Sequence, residues 1–463
     1  ERYDVSWYNT TDKEFTISDS AQLAGLARLT NGTAEGVTGA VSFSGTTVKL
    51  GADVSLGGMT WTSIGSFAGT FDGQGHTVSG LAGSALFKLL NSAGTIKNLT
   101  VDGAITTDKN YVAALVGTMN ANTKLLNCVN RASVTGSDTA AGLVGSANGN
   151  SWTPLNPLIS GCANFGTITA TSGTASGLVA FGSYAYIYNC YNAGAVTAAT
   201  HAAGIASLSS GSVQNCYNVG ALTGANRGAI LSGGTNGSGN YYLAEDGLTG
   251  SAGVADKDGF ATAMSADALK ALAPTLGWPF AADDGETQLN GGYPVFEYQK
   301  TGVYKDETDG LTLTGVSAKN GTLTCILDRT LRYTTLAAAD FAVTVQSGTQ
   351  AAAPVAVQAV STNGSKAILT VPQLYSETQP ASYTYTVSFK GAAAKTGELT
   401  VPLFSLSDFN VDASSDTTYV YAVAPDGVMV DSAATEDMVF TYTVDDSTDV
   451  QTIEDVYFEV YED

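Results

Sequence analysis

The sequence predicts an all-β protein: a parallel β-helix, followed by a β-sandwich and a small acidic β domain. Three observations carry this expectation. The 53 glycines of the 463-residue chain punctuate short runs rich in strand-forming residues, the pattern of strands joined by tight turns. A motif built around cysteine recurs at regular intervals. After residue 300 the style changes, from short glycine-rich units to longer runs of alternating apolar and polar residues.

The recurring motif fixes the first domain, expected over 1–300. Four copies surround Cys128, Cys162, Cys190 and Cys216: NCVNRASVTGSDTAAGLVG, GCANFGTITATSGTASGLVA, NCYNAGAVTAATHAAGIAS and NCYNVGALTGANRGAILSG. The cysteines are 34, 28 and 26 residues apart. Each copy supplies two or three short strands with a few inward residues, such as Val196, Ala203 and Ile205. One unit cannot bury its apolar face alone, but copies stacked at about 4.8 Å per turn can. An earlier copy, IKNLTVDGAITTDKNYVAALVG, carries Leu99 where the others carry cysteine. Leucine replaces a packing residue, not a ligand or a nucleophile. The four cysteines therefore read as a buried ladder of free thiols. No C-x-x-C pair occurs among the five cysteines, which removes zinc-ribbon and thioredoxin-like readings. His201 falls in the variable turn of its copy and reads as a surface residue.

Upstream, Ser18, Asp19 or Ser20 is placed to cap a short helix carrying Leu23, Leu26 and Leu29. A helix there would cover the open edge of the first turn. Downstream, Ser265 starts a short helix with Leu269 and Leu272, which Pro274 stops. It is expected to cover the far end of the solenoid, with 293–298 as the last strand. The segment FDGQGH lacks the Lys-Ser/Thr of a phosphate loop and reads as a glycine turn, with His76 packed or exposed beside it.

FAGTFDGQGHTVSGL at 67–81, the NCYNxG and GLVG repeats, and GGYPVFEYQ at 291–299 occur in that order. In these features the region from about residue 5 to 300 resembles the GLUG-repeat β-helix proteins of bacterial cell surfaces. The resemblance implies a secreted or wall-attached, adhesin-like protein, and says more about location and architecture than about chemistry.

Residues 301–402 carry seven or so alternating strands, including LTLTGVSAKNGTLTCILDR, DFAVTVQSG and SYTYTVSFKG, as an Ig-like sandwich does. Cys325 alternates with Leu323 and Leu327 and is expected in its core. Residues 403–463 form an acidic β tail with strand patterns in TTYVYAVAP, MVFTYTV and DVYFEVYED. The segment at 410–416 clusters side-chain oxygens as calcium loops do but lacks the glycine and terminal glutamate of an EF-hand loop; it reads as solvated acidic surface, with calcium binding as the alternative.

Charge and composition limit function. The chain has 20 Lys and Arg against 42 Asp and Glu, a net of −22, and 15 of the acids lie in 402–463 without a single base. Nucleic acid is excluded as a partner by this balance, and the absence of an 18-residue apolar run excludes membrane insertion by a helix. The chain opens at Glu1 without a signal peptide, as a mature secreted protein or an excised piece does. Between 82 and 241 the only acids are Asp102, Asp108 and Asp138, each expected in or near a turn. Glycoside cleavage needs a carboxylate pair at a defined separation, so no catalytic residue, metal or cofactor is assigned.

Three readings remain open. The first is a non-catalytic structural or adhesive surface protein whose partners are host or bacterial surface glycans or proteins. The second is a glycan-binding or atypical polysaccharide-degrading β-helix. Its candidate stacking residues are Tyr184, Tyr186 and Tyr188, alternating along SYAYIYNCY, with Tyr191 and Tyr217 at equivalent repeat positions. The third is a subunit of an extracellular filament that self-associates through the C-terminal strand.

Overall fold

The computed structural model describes residues 3–57, 60–152, 155–256, 259–374 and 381–401, together with the backbone of four short strands between 409 and 453. The chain divides into two units, Glu1–Tyr304 and Lys305–Asp463.

The first unit winds through three long sheets of nine, eleven and thirteen strands, in which every strand pairing is parallel. The nine-stranded sheet runs in strict chain order, from Glu14–Ile17 to Gly237–Ser238. A single turn starts at Leu158–Ser160 in this first sheet. It continues through Ala163–Asn164 and Ile168–Ala170 in the second, then Thr174–Ser176 and Val179–Ser183 in the third. This is the arrangement of a β-helix. Nine strands at about 4.8 Å make it roughly 40 Å long.

Register converts the repeat into columns. Phe71, Ile96, Leu125, Ile159, Ile187 and Val213 lie directly above one another and are all buried. Fully burying each such side chain is worth about 1.5–3 kcal/mol. Val196 and Ile205 belong to the same core as expected. Ala203 is buried outside that cluster, and its neighbour Ala202 takes the core position, one residue earlier in the strand His201–Ala203.

The N-terminal helix α1 (Ser20–Thr30) is capped by Asp19, whose carboxylate accepts the N–H of Gln22 (2.9 Å). Leu23, Leu26 and Leu29 are buried. The helix end satisfies the edge strand Ile64–Phe67: Thr30 Oγ1 accepts the Gly65 N–H (2.8 Å), and Asn31 Nδ2 donates to the Ser63 carbonyl (2.9 Å). The first turn therefore presents no open edge here.

After the last turn the chain runs back along the flank. This strap contains α2 (Ala266–Lys270), α3 (Ala273–Leu276), the antiparallel pair Phe280–Ala281 and Val295–Phe296, and α4 (Glu297–Thr301). Ser265 caps α2 through the Ala268 N–H (3.3 Å). Three details differ from expectation. Pro274 opens α3 rather than only ending a helix, because proline is tolerated in a first helical turn. The last strand stops at Phe296 and α4 follows. Most importantly, the segment covers the side of the solenoid and not its far end. Leu269, Leu272, Leu276, Phe280, Phe296 and Tyr298 pack on Val129, Ala163, Tyr191 and Tyr217, outside the main core. The second sheet is apolar at these outward positions and needs cover. At the far end, Tyr242, Leu248 and Phe260 join the solenoid core instead.

In the second unit, two four-stranded antiparallel sheets pack on one core. One is Leu313–Lys319, Thr322–Leu327, Lys366–Thr370 and Ala359–Asn363; the other is Ala353–Val355, Phe341–Ser347, Ala381–Phe389 and Lys395–Val401. Cys325 lies in that core with Leu323, Leu369, Tyr385 and Val387, and burial pushes its thiol up to about 12. Glu307 is buried and accepts the N–H groups of Arg332 (2.6 Å), Tyr333 (3.0 Å) and Thr334 (3.0 Å). Beyond it, Phe409–Asp412 pairs with Tyr419–Ala422, and Phe440–Thr443 with Val450–Ile453. The C-terminal strand expected at 455–463 and most of the 410–416 segment lie outside the described residues.

Candidate functional site

The recurring N-C-x-N motif builds three parallel rows at one corner of the solenoid. The first row turns the chain. Asn98, Asn127, Asn189 and Asn215 adopt φ of 52–55°, and Gly161 and Gly239 hold the same place at 64° and 63°. Asparagine and glycine tolerate this left-handed backbone best.

The second row is Leu99, Cys128, Cys162, Cys190, Cys216 and Asn240, as the strand register requires. The four thiols are free and buried. They do more than fill space. The N–H of Cys128 donates to Cys162 Sγ, that of Cys162 to Cys190 Sγ, and that of Cys190 to Cys216 Sγ, each at 3.4 Å. Asn240 Oδ1 ends the series by accepting the Cys216 N–H (3.1 Å). Three of the four sulfurs, those of Cys162, Cys190 and Cys216, thus serve an amide at a corner where the backbone ladder is interrupted. Burial pushes the Cys128 and Cys190 thiols well up. At Cys162 burial raises the pKa, but hydrogen bonding with Cys128 and Cys190 outweighs it and draws the thiol down. Each sulfur also lies within reach of the carbonyl two residues back, Leu126 (3.3 Å), Ser160 (3.3 Å), Tyr188 (3.1 Å) or Gln214 (3.3 Å), an acceptor that suits a neutral S–H donor and keeps the row as thiols.

The third row is Asn130, Asn164, Asn192 and Asn218, all buried. The Nδ2 groups of Asn130, Asn164 and Asn192 donate to the next Oδ1 at 2.7, 2.7 and 2.8 Å. All four Nδ2 groups also donate to the carbonyl two residues ahead, Ala132, Gly166, Gly194 or Gly220. Gly166, Gly194 and Gly220 are small of necessity: a Cβ there would stand 1.9–2.1 Å from the carbonyl oxygen of the preceding turn.

The candidate tyrosines separate. Tyr191 and Tyr217 are fully buried beneath the strap. Their rings are stacked at 5.0 Å, Tyr191 Oη donates to Gln299 Oε1 (2.7 Å), and Tyr217 Oη contacts the Pro294 carbonyl. Neither can stack on a sugar, which corrects the expectation. Sequence periodicity placed them outward correctly but could not show that another segment returns to cover them. Tyr186 and Tyr188 point outward from the strand Ala185–Tyr188, whose Ala185 and Ile187 are buried, and their rings lie 6.0 Å apart at 25°. Tyr184 precedes that strand, in a left-handed corner (φ 50°).

Trp152, which sequence reasoning passed over, is 89% exposed, and Leu155 is 57% exposed. Both belong to a loop between the strands Val144–Asn148 and Leu158–Ser160. The signal was present in the 34-residue spacing between Cys128 and Cys162, longer than the 28 and 26 that follow. The loop is tied to neighbouring turns by Gly149 N–H to the Ser183 carbonyl (2.7 Å) and Asn122 N–H to the Leu155 carbonyl (2.8 Å).

The remaining candidates are dispersed. His76 Nδ1 lies 3.1 Å from Asp53 Oδ1 at the surface, beside the FDGQGH turn, which closes through the His76 N–H to the Gly73 carbonyl (2.8 Å). His201 begins the strand His201–Ala203 instead of lying in a turn. Asp102 is likewise an exposed residue within the strand Thr100–Thr106, while Asp108 and Asp138 lie in turns. Among the described residues no group of three His, Cys, Asp or Glu could hold a metal ion, and no helix is long and apolar enough to cross a membrane.

No protein-family model matches the chain, and no solved structure matches it. A stretch of 93 residues, 19% of the chain, is 37% identical to Halomucin of Haloquadratum walsbyi. The matched stretch is 1% of that relative's length, so the similarity is local.

Proposed function

We propose that this chain is a non-catalytic structural and adhesive protein of a microbial cell surface, with solenoid repeats of GLUG type and an Ig-like second unit that spaces or presents it. The observation that carries the proposal is the corner of the solenoid. Its three rows of Asn, Cys and Asn spend their polar groups on one another and on the backbone, leaving no free nucleophile or carboxylate pair to do chemistry. Such ladders stiffen a rod, and a stiff rod suits display. The local likeness to Halomucin, a protein whose name marks it as a mucin, supports an extracellular setting.

Two measurements test this. Protease shaving of intact producing cells is expected to release peptides of 1–304; recovery only after lysis overturns the surface assignment. Incubation with pectins, alginate, heparin and host glycans is expected to yield no new reducing ends or unsaturated products. Sustained turnover on any of them overturns the non-catalytic reading.

A further inference from the structure

The strap brings the chain back towards the end at which it came in. Near that entry, the Asp4 N–H donates to the Ala21 carbonyl of α1 (2.9 Å), and the Trp7 ring packs on Phe15 of the first strand, Glu14–Ile17, at 5.4 Å. The last turn lies at the opposite end, where Ala261–Met264 is an edge strand paired with Asn240–Leu243. From there the contacts of the strap fall on progressively earlier turns. Asn215 Nδ2 donates to the Leu276 carbonyl (2.9 Å), and Asn290 Nδ2 donates to Tyr217 Oη (2.9 Å). Tyr191 Oη donates to Gln299 Oε1 (2.7 Å), and Tyr298 Oη donates to the Gly161 carbonyl (2.8 Å). Tyr304, stacked on Tyr298 at 4.7 Å, reaches the FDGQGH turn: a Cβ on Gly75 would stand 2.8 Å from its ring. Gly75 follows Thr70–Asp72, the third of the nine strands in the first sheet. The chain therefore leaves the first unit about 10 Å along the axis from where it entered, with roughly 30 Å of solenoid beyond the exit.

We infer that the strap is a mechanical clamp, which keeps tension across the first unit out of the outer turns of the solenoid. This rests on the structural reading above and names the load that the rod withstands. Without a strap, the chain would leave from the edge strand Ala261–Met264, and a pull would strip short strands from that edge in succession. With it, the pull falls first on Tyr304, then on Tyr298 and Phe296, and reaches the edge strand only after the strap has come away. The two ends of this load path differ in how they are held. At the entry, Glu14–Ile17 pairs in register with Thr47–Leu50 through all four residues. In the strap, Phe280–Ala281 and Val295–Phe296 form a sheet of their own, and the hydrogen bonds named above that tie it to the turns each use a side chain. Such contacts are loaded and lost one after another, so the strap yields before the paired strands do. Its release exposes the apolar flank of Val129, Ala163, Tyr191 and Tyr217, and the cost of wetting that surface draws the strap back when tension falls. The strap is thus a reversible extension, and the turns beyond Gly75 stay folded and project from the loaded chain.

The test holds the full chain by its two ends in a single-molecule force measurement. A reversible lengthening on the order of 140 Å, the extended length of residues 265–304, is expected before any turn of the solenoid is lost. The second unit, a longer stretch of chain, gives a step of its own that its length identifies. Phe296→Ala is expected to speed the strap's step about a hundredfold at fixed force, the scale of one deleted buried phenylalanine expressed in the release rate. A second geometry keeps the test independent of that substitution. Val254 is exposed in the far-end loop and the native thiols are buried, so Val254→Cys offers a selective handle there. Pulling between that handle and the N-terminal end takes the strap out of the load path, and its step is expected to vanish. Loss of the whole first unit without an earlier step overturns the proposal. So does a first step indifferent to Phe296→Ala, which would assign the yielding element to the N-terminal cap, or one that persists with the handle at 254. A failure here with surface display intact leaves the structural reading standing.

Discussion

Tyr191 and Tyr217 lie one turn apart with their rings nearly parallel, 5.0 Å between centroids and 7° between planes. Phe296 packs against the first at 5.0 Å, and Phe280 against the second at 6.0 Å. The pair is therefore the floor on which the strap rests.

Removing one strap ring tests that relationship. Phe296→Ala is expected to weaken docking of the strap by about 3–5 kcal/mol, the usual cost of deleting a buried phenylalanine. Limited proteolysis should then cut within 265–304 while hydrogen exchange in the solenoid core, around Ile159 and Ile187, stays slow. Loss of protection throughout the first unit would show that the strap and solenoid fold as one.

The same floor predicts an alkaline transition. Burial raises the phenols of Tyr191, Tyr217 and Tyr298 above the usual tyrosine value of 10. A group whose pKa is raised on folding contributes stability that is complete below its unfolded pKa and erodes above it. Stability should thus be flat in this respect below pH 10 and fall beyond it. Ultraviolet titration should show these phenolates forming only together with release of the strap. Their reversible ionisation in a fully docked protein would contradict the burial.

Thiol chemistry tests the sulfur row. Cys128, Cys162, Cys190 and Cys216 are expected to resist an aromatic disulfide reagent in the native protein and to react completely in denaturant, because a buried neutral thiol offers neither access nor thiolate. Fast labelling of the native chain, or stoichiometric zinc in the purified protein, would refute the neutral row.

The asparagine row makes a sharper demand. Asn192→Ala removes the acceptor of Asn164 Nδ2 and the donor to Asn218 Oδ1 and the Gly194 carbonyl. Each buried group left without a partner costs about 1–3 kcal/mol, so the substitution should lower the melting temperature of the first unit by many degrees. Asn192→Asp keeps the shape and the acceptor but adds a buried charge, and should be at least as harmful. A change within the error of the parent would mean that the row carries no stability.

Sequence alone determined what is repeated. A solenoid stacks like upon like, so the cysteine spacing, the Leu99 substitution and the alternation of Ile187 with Tyr186 and Tyr188 already specified the turns, the buried row and the outward residues. A helix cap within Ser18–Ser20, which the structure narrows to Asp19, and the core place of Cys325 were legible for the same reason: both depend on near neighbours in the chain. Tertiary structure decided what lies on top of the repeats. Tyr191 and Tyr186 are both outward tyrosines of the same turn, yet one is sealed under Phe296 and the other faces out. The difference comes from a segment about a hundred residues later that folds back along one flank and not another. Likewise the Cys–x–Asn pattern announced a ladder, but only the stacked backbone showed that sulfur accepts from the amide of the adjacent turn. Local pattern records which face a side chain takes; which faces are covered depends on distant contacts whose entropy cost is met only when the whole turn stack is in place.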